Sequence, residues 1–276
     1  MLAMPESVYD ARSELADPRR FVERSLGDLR RSVPISWRFF LASLRGRHRR
    51  SLFGYVWLLA PAAAATSICV YLQSRGIFRV GDTQLPYAVH VLSGLVLWQT
   101  FVDALNSPLQ QLWASRAMIT RSRVPHEAIL LSGLYDVALN CLVRLAALAA
   151  VLAVFRVAPA ASVLLFPLGM LVLALLGFAF GLAATPFGLL YDDVRHGILL
   201  LAGFWFFLTP VLYPAPAAGP LRFNPVTPLL DTSRSWILSH ETGPGFFLVA
   251  GAAAVLLVGA WVGYRIARPH LIARLG

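Results

Sequence analysis

From residue 52 onward, long apolar runs alternate with short charged or proline-rich segments. A helix needs about 20 apolar residues to cross the hydrocarbon core of a bilayer. Six runs reach or approach that length: 52–72, 86–105, 128–155, 162–190, 197–213 and 246–264. The fifth is short, and Pro210 and Pro214 end it. The residues before the first run are polar, with Pro5, Pro18 and Pro34 read as breaks. In 34–57, Ile35, Phe39, Leu41 and Leu44 alternate with Arg38, Arg45 and Arg47 in a helical period. That pattern predicts an amphipathic helix lying in the inner interface and feeding the first span. The prediction is an all-α integral membrane fold. Residues 1–51 form a cytoplasmic segment with the interface helix, 52–264 a six-helix transmembrane domain, and 265–276 a cytoplasmic tail.

Three connecting segments carry more than a turn needs. In 106–127, Leu109, Leu112, Trp113 and Met118 predict a short helix with one apolar side, stopped by Pro125. Such a helix either presses into a partner or packs on its own bundle. Segment 190–197 reads LYDDVRHG. Paired aspartates can bind a divalent metal, but no third carboxylate lies nearby, and an acidic turn at a helix start is favoured. Segment 210–244 is rich in proline, yet 221–238 is too apolar for a plain outer loop. A broken, partly re-entrant stretch is expected. Non-helical backbone at membrane depth persists only against protein or a water-filled cavity, which places this stretch near the exit of a pathway.

Composition narrows the class. Of 276 residues 58% are hydrophobic and 14% charged, against about 25% charged in a soluble domain. Mean hydropathy is +0.66. Soluble enzymes, DNA-binding domains and disordered proteins are excluded. All 24 basic residues are arginine, and the net charge is +10. With the N-terminus inside, the inner segments hold 18 arginines and the outer loops 5. Cytoplasmic segments carry the excess of Lys and Arg, so both termini are expected in the cytoplasm. The positive charge then reports topology, and no nucleic-acid partner is expected. The chain opens on no apolar signal core, so insertion by an internal span is expected.

Candidate chemistry follows from residue placement. Arg45, Arg47, His48, Arg49 and Arg50 form a basic knot at headgroup level. It either anchors to anionic lipid or receives a phosphate-bearing substrate, since guanidinium forks match phosphate oxygens. Asp136, Asn140 and Arg144 fall at i, i+4 and i+8 and share one helix stripe, drifting about 40° per step. They line a route or pair with neighbouring helices. Gly177–Gly181 and Gly259–Gly263 are small-residue pairs that permit close helix contact. Of the abundant aromatic residues, most face lipid or core, while a subset (Tyr71, Trp98, Phe101, Phe204, Phe207) is a candidate lining for a sugar path. Cys69 and Cys141 lie in apolar runs and read as small buried hydrophobes. The sequence holds no G-x-x-x-x-G-K-[ST] run, no H-E-x-x-H, no G-x-S-x-G and no Cys/His cluster.

Four motifs together resemble the membrane subunit of type-2 ABC exporters for polysaccharides and polyol phosphates, the Wzm/TagG-like permeases. They are RHRRSLFGYVW (47–57), LPYAVHVLSGLVLWQTF (85–101), MITRSRVPHEAILLSGL (118–134), and YDDVRHGILLLAGFWFFLTPVLYP followed by FNPVTPLLDTSR. They occur in the family's order between residues 35 and 268. Tyr55 stands where the family usually has proline, His126 where a basic residue is common, and Asp192 where arginine is usual. The resemblance implies a transport subunit, not an enzyme. It implies a homodimer in the bacterial plasma membrane with two copies of a separate ATPase, which would bind ATP and Mg, no cofactor being held by this chain. The 106–127 loop would carry the coupling helix, with Leu112, Trp113, Arg116, Arg121 and Arg123 toward the ATPase. Arg45, Arg47, Arg49 and Arg50 would meet the diphosphate of a lipid-linked glycan, and the proline-rich stretch 214–240 would form short helices gating the outer exit, with Tyr213, Asn224 and Pro225 in that gate. Three rival readings remain: an ABC exporter of a drug or lipid, a transferase acting on a polyprenyl phosphate through Asp192 and Asp193, and an ion-coupled carrier using Asp136 and Arg144.

Overall fold

The computed structural model describes residues 18–50, 56–76, 85–116, 118, 124–214, 223–239 and 241–275. Among these residues the structure is helical and holds no strand. Helix α1 is Pro18–Arg50, α2 Val56–Ser74, α3 Tyr87–Ala114 and α4 His126–Val154. A 3-10 turn, Ala161–Leu165, leads into α5, Phe166–Leu190. Then come α6, Asp192–Phe207, α7, Val226–Leu238, and α8, Pro244–Leu275.

Five of these are long and apolar enough to cross a bilayer: α2, α3, α4, the 3-10 turn with α5, and α8 as far as Pro269. They match the first, second, third, fourth and sixth expected runs. The fifth run differs. Its helix has 16 residues, about 24 Å at 1.5 Å per residue, and falls short of a hydrocarbon core about 30 Å thick. It begins at Asp192, because Tyr191 alone, in extended conformation, separates it from α5. LYDDVRHG is therefore a one-residue hinge and the start of a helix rather than a loop.

Two further boundaries move. The interface helix starts at Pro18, not at residue 34, and passes through Pro34. An internal proline costs a helix about 3 kcal/mol. Here Pro34 is on the exposed side, while Ser32, Ser36 and Phe40, spaced by four, form a buried stripe against α4. Trp37 and Phe40 reach Tyr135 with ring centroids 5.5 and 5.8 Å away. Likewise α3 continues unbroken through Pro108 to Ala114, so Leu109, Leu112 and Trp113 belong to its last turns and not to a separate loop helix.

Helix α3 is the hub. In its most apolar stretch 83% of residues are buried, against 6% in α2. The contact with α5 is backbone on backbone. A methyl at Gly177 would stand 2.3 Å from the Phe101 carbonyl oxygen, and one at Gly181 2.0 Å from that of Leu105. This is the close approach that small residues permit between membrane helices. The other pair, Gly259 and Gly263, meets nothing within 4 Å. Side chains of α3, α5, α7 and α8 fill one half of the bundle around Trp98, Phe101, Leu173, Trp236 and Phe246. The other half packs around Leu112, Ile129, Leu130, Leu182 and Tyr264.

Candidate functional site

One end of the bundle gathers charge. Trp113 closes α3 with its indole between two guanidinium groups, Arg116 at 4.1 Å and Arg195 at 4.5 Å from the ring centroid. Arg195 is in the first turn of α6, so the stack joins that turn to the end of α3 by cation–π attraction. Asp192 and Asp193 occupy the same first turn, where negative charge suits the helix dipole.

A second cluster sits beside it. Pro125 starts α4, and Glu127 follows in the first turn, only 3% exposed. Its carboxylate accepts from Arg265 at 3.1 Å and from Arg268 at 3.2 and 3.4 Å, both on α8. Arg265 also donates to the Ser25 hydroxyl and the Asp28 carboxylate of α1. His126 Nδ1 and the Tyr264 hydroxyl lie 2.7 Å apart, both buried.

Midway along the bundle, a polar seam joins α3 to α4. Arg144 pairs with Asp103 at 2.9 Å, and the Asn140 amide donates to the same carboxylate at 2.9 Å. The Gln111 amide donates to Asp136 at 2.9 Å. All three residues of the predicted stripe thus face α3. Of the two readings in the sequence, pairing with a neighbouring helix is the one observed. Asp103, inside the second run, was not legible as the partner, although a lone arginine in a span demands an acid or carbonyls nearby.

The opposite end is closed by α7. Nine of its 13 residues are buried, among them Val226, Leu229, Leu230, Trp236 and Ile237. Arg234 is buried with them. It donates to the carbonyls of Pro210 at 2.7 Å and His90 at 3.2 Å, and to that of Val211. Pro210 and Val211 are where α6 has already broken and their carbonyls have lost helical partners. Gly94 leaves the space that the guanidinium fills. Burial pulls the Arg234 group down to about 10, with Asp231 opposing, so it stays charged at neutral pH. Burial pushes the Asp231 carboxyl up to about 6 against the pull of Arg234. Asn224 clips the same break. Its amide nitrogen donates to the Leu208 carbonyl at 3.1 Å and the Thr209 hydroxyl at 2.8 Å. Its oxygen accepts from Trp205 Nε1 and from the Val226 N–H, each at 3.0 Å. At the far end of α7, the Ser162 hydroxyl lies 2.8 Å from the carbonyls of Trp236 and Ser239.

The predicted site residues divide as follows. Arg45 is exposed near the end of α1; the side chains of Arg47, Arg49 and Arg50 lie outside the described residues. Leu112 is fully buried in the core, Trp113 is half-buried and Arg116 exposed. Arg121 and Arg123 lie outside the described residues. Tyr71, Phe204 and Phe207 stand on bare surfaces of α2 and α6, while Trp98 and Phe101 are core residues behind α6. Tyr213 donates to the Phe207 carbonyl at 3.0 Å, and Asn224 and Pro225 form the start of α7. Sequence reasoning passed over Asp103, Glu127, Arg234, Arg265 and Arg268. The signal was present for Arg234: an arginine within a segment too apolar to be a loop.

No family model matches the chain. An O-antigen export system permease protein of Klebsiella pneumoniae is 25% identical over 204 residues, 71% of this chain and 77% of that protein. A protein of the same description from Myxococcus xanthus is 24% identical over 225 residues, 79% of this chain and 85% of its own length. A second from Klebsiella pneumoniae is 24% identical over 204 residues. These matches bear out the resemblance to polysaccharide-export permeases carried by the motifs.

Proposed function

We propose that this chain is the permease subunit of an ATP-driven ABC exporter. Its cargo is a lipid-linked polysaccharide of the O-antigen, capsule, teichoic-acid or cell-wall galactan type, moved across the bacterial plasma membrane. The observation that carries the reading is similarity to O-antigen export permeases over most of both chains, in a protein with five membrane-length helices. The chain contains no lysine and so no Walker A lysine. ATP is therefore assigned to a separate subunit, docked at the charged end beside Trp113 and Arg116.

Helix α6 supports a sixth crossing. It starts beside Trp113 at the charged end, and its last turn lies against Trp98 and Asn224 toward the closed end. Six crossings put both termini on the cytoplasmic side, as the arginine bias requires. The bare apolar faces of α2 and α6, with Trp57, Ile68, Tyr71, Leu200, Leu201, Phe204 and Phe207 exposed, suit a second copy of the chain. Tyr71, Phe204 and Phe207 then face the glycan between protomers, with Arg45 and its neighbours at the cytoplasmic mouth and α7 at the exit.

The test is complementation. A strain lacking this gene is expected to lose surface glycan and accumulate the lipid-linked form inside. The wild-type gene restores export. Trp113→Ala loses a stack worth about 1–2 kcal/mol, and is expected to restore export about tenfold less well at equal membrane level. Unchanged surface glycan in the deletion strain would refute the reading.

A further inference from the structure

Resting on the export reading above, we infer that Glu127 is a positioning residue for energy coupling. The row of ion pairs it forms with Arg265, Arg268 and Asp28 makes the root of the cytoplasmic loop, the interface helix and the last helix move as one body. Glu127 lies two residues after Pro125, where the chain returns from the charged end into α4. A displacement of the chain before α4 by a docked ATPase would pass through Pro125 and His126 to Glu127. The carboxylate holds two arginines of α8, and one of these, Arg265, uses the same Nη2 to hold Asp28 of α1. The main packing of α1 is on α4, and Arg265 adds its link to α8.

The burial is what points beyond a simple brace. Glu127 is 3% exposed and Arg265 7%. Apolar packing already joins α1 to α4 and α5 to α8. Well-packed hydrophobic residues generally hold helices as well as a buried ion set does, or better. What a linked row of two acids and two bases, buried at its Glu127–Arg265 centre, adds is fixed geometry that rearranges as a unit.

The experiment uses the permease–ATPase complex in proteoliposomes. It reads ATP hydrolysis, glycan moved per ATP, and thermal stability. Glu127→Gln keeps the shape and removes the charge. It is expected to hydrolyse ATP close to the wild-type rate while moving about tenfold less glycan per ATP, within the range of typical coupling energies. Glu127→Asp, which keeps the charge, is expected to recover most of that ratio. Asn140→Ala, in the seam between α3 and α4, is the structural control, expected to lower thermal stability without changing glycan moved per ATP. Should Glu127→Gln fail to fold, Arg268→Gln at the more exposed rim of the cluster gives the same readouts. An unchanged ratio in the charge-removing variant overturns the inference. So does a fall in stability, hydrolysis and transport together, matched by Asn140→Ala. A wild-type complex that neither hydrolyses ATP nor moves glycan overturns the export reading itself, and the inference with it.

Discussion

Arg234→Ala is expected to remove most of the folded protein from the membrane. The side chain donates to three carbonyls, two of them at the break after α6. The His90 carbonyl keeps the Ser93 hydroxyl, but the other two lose the guanidinium; a buried acceptor left without a partner costs about 1–3 kcal/mol, so the pair costs about 2–6 kcal/mol before the cavity is counted. That is a large share of a typical stability of about 5–15 kcal/mol. Arg234→Lys keeps the charge but not the planar fork that spans several carbonyls, and an intermediate yield is expected. Size-exclusion chromatography of fluorescently tagged protein in detergent measures this directly. A full monodisperse peak for Arg234→Ala would mean that α7 is held by its apolar face alone.

The second large effect is expected at the contact between α3 and α5. Gly181→Val places a branched side chain where even a methyl carbon would be 2.0 Å from the Leu105 carbonyl oxygen. The obstacle is backbone, which cannot swing aside as a side chain can. Overpacking costs about 1–3 kcal/mol where side chains yield, and more is expected here because two helices must separate along α3. Gly177→Val, against the Phe101 carbonyl, is expected to behave alike. Gly259→Val is the internal control, since nothing lies within 4 Å of its added carbon, and it is expected to leave the monomer fold intact. Equal yields from all three variants would show that the α3–α5 contact is looser than described.

These two sites show what could and could not be read in advance. The long spans were legible because about 20 apolar residues in a row have few other solutions. The Gly177–Gly181 pair was visible as a motif, but Gly259–Gly263 is the same motif with no contact behind it among the described residues. Only the position of α3 distinguishes them. Helices α6 and α7 were partly illegible because they are too short to cross by themselves, and proline-rich backbone joins them. Their placement depends on Arg234 and Asn224 reaching the broken carbonyls. Pro34 misled because its local cost is outweighed by the Ser32, Ser36 and Phe40 stripe packing on α4. The Glu127 cluster was hidden by distance along the chain, its partners on α8 lying 138 and 141 residues away. The polar stripe on α4 was seen, but its partner Asp103 was masked by the apolar residues around it.

We propose this chain as the membrane half of an ATP-driven glycan exporter. The most direct measurement is to purify it with the ABC ATPase encoded beside it, reconstitute the pair in liposomes holding lipid-linked glycan, and follow glycan movement with and without ATP. The expected result is a complex with equal numbers of the two chains that hydrolyses ATP and moves glycan only when ATP is present. A chain that purifies alone, binds no ATPase and moves or modifies its substrate without ATP would contradict it.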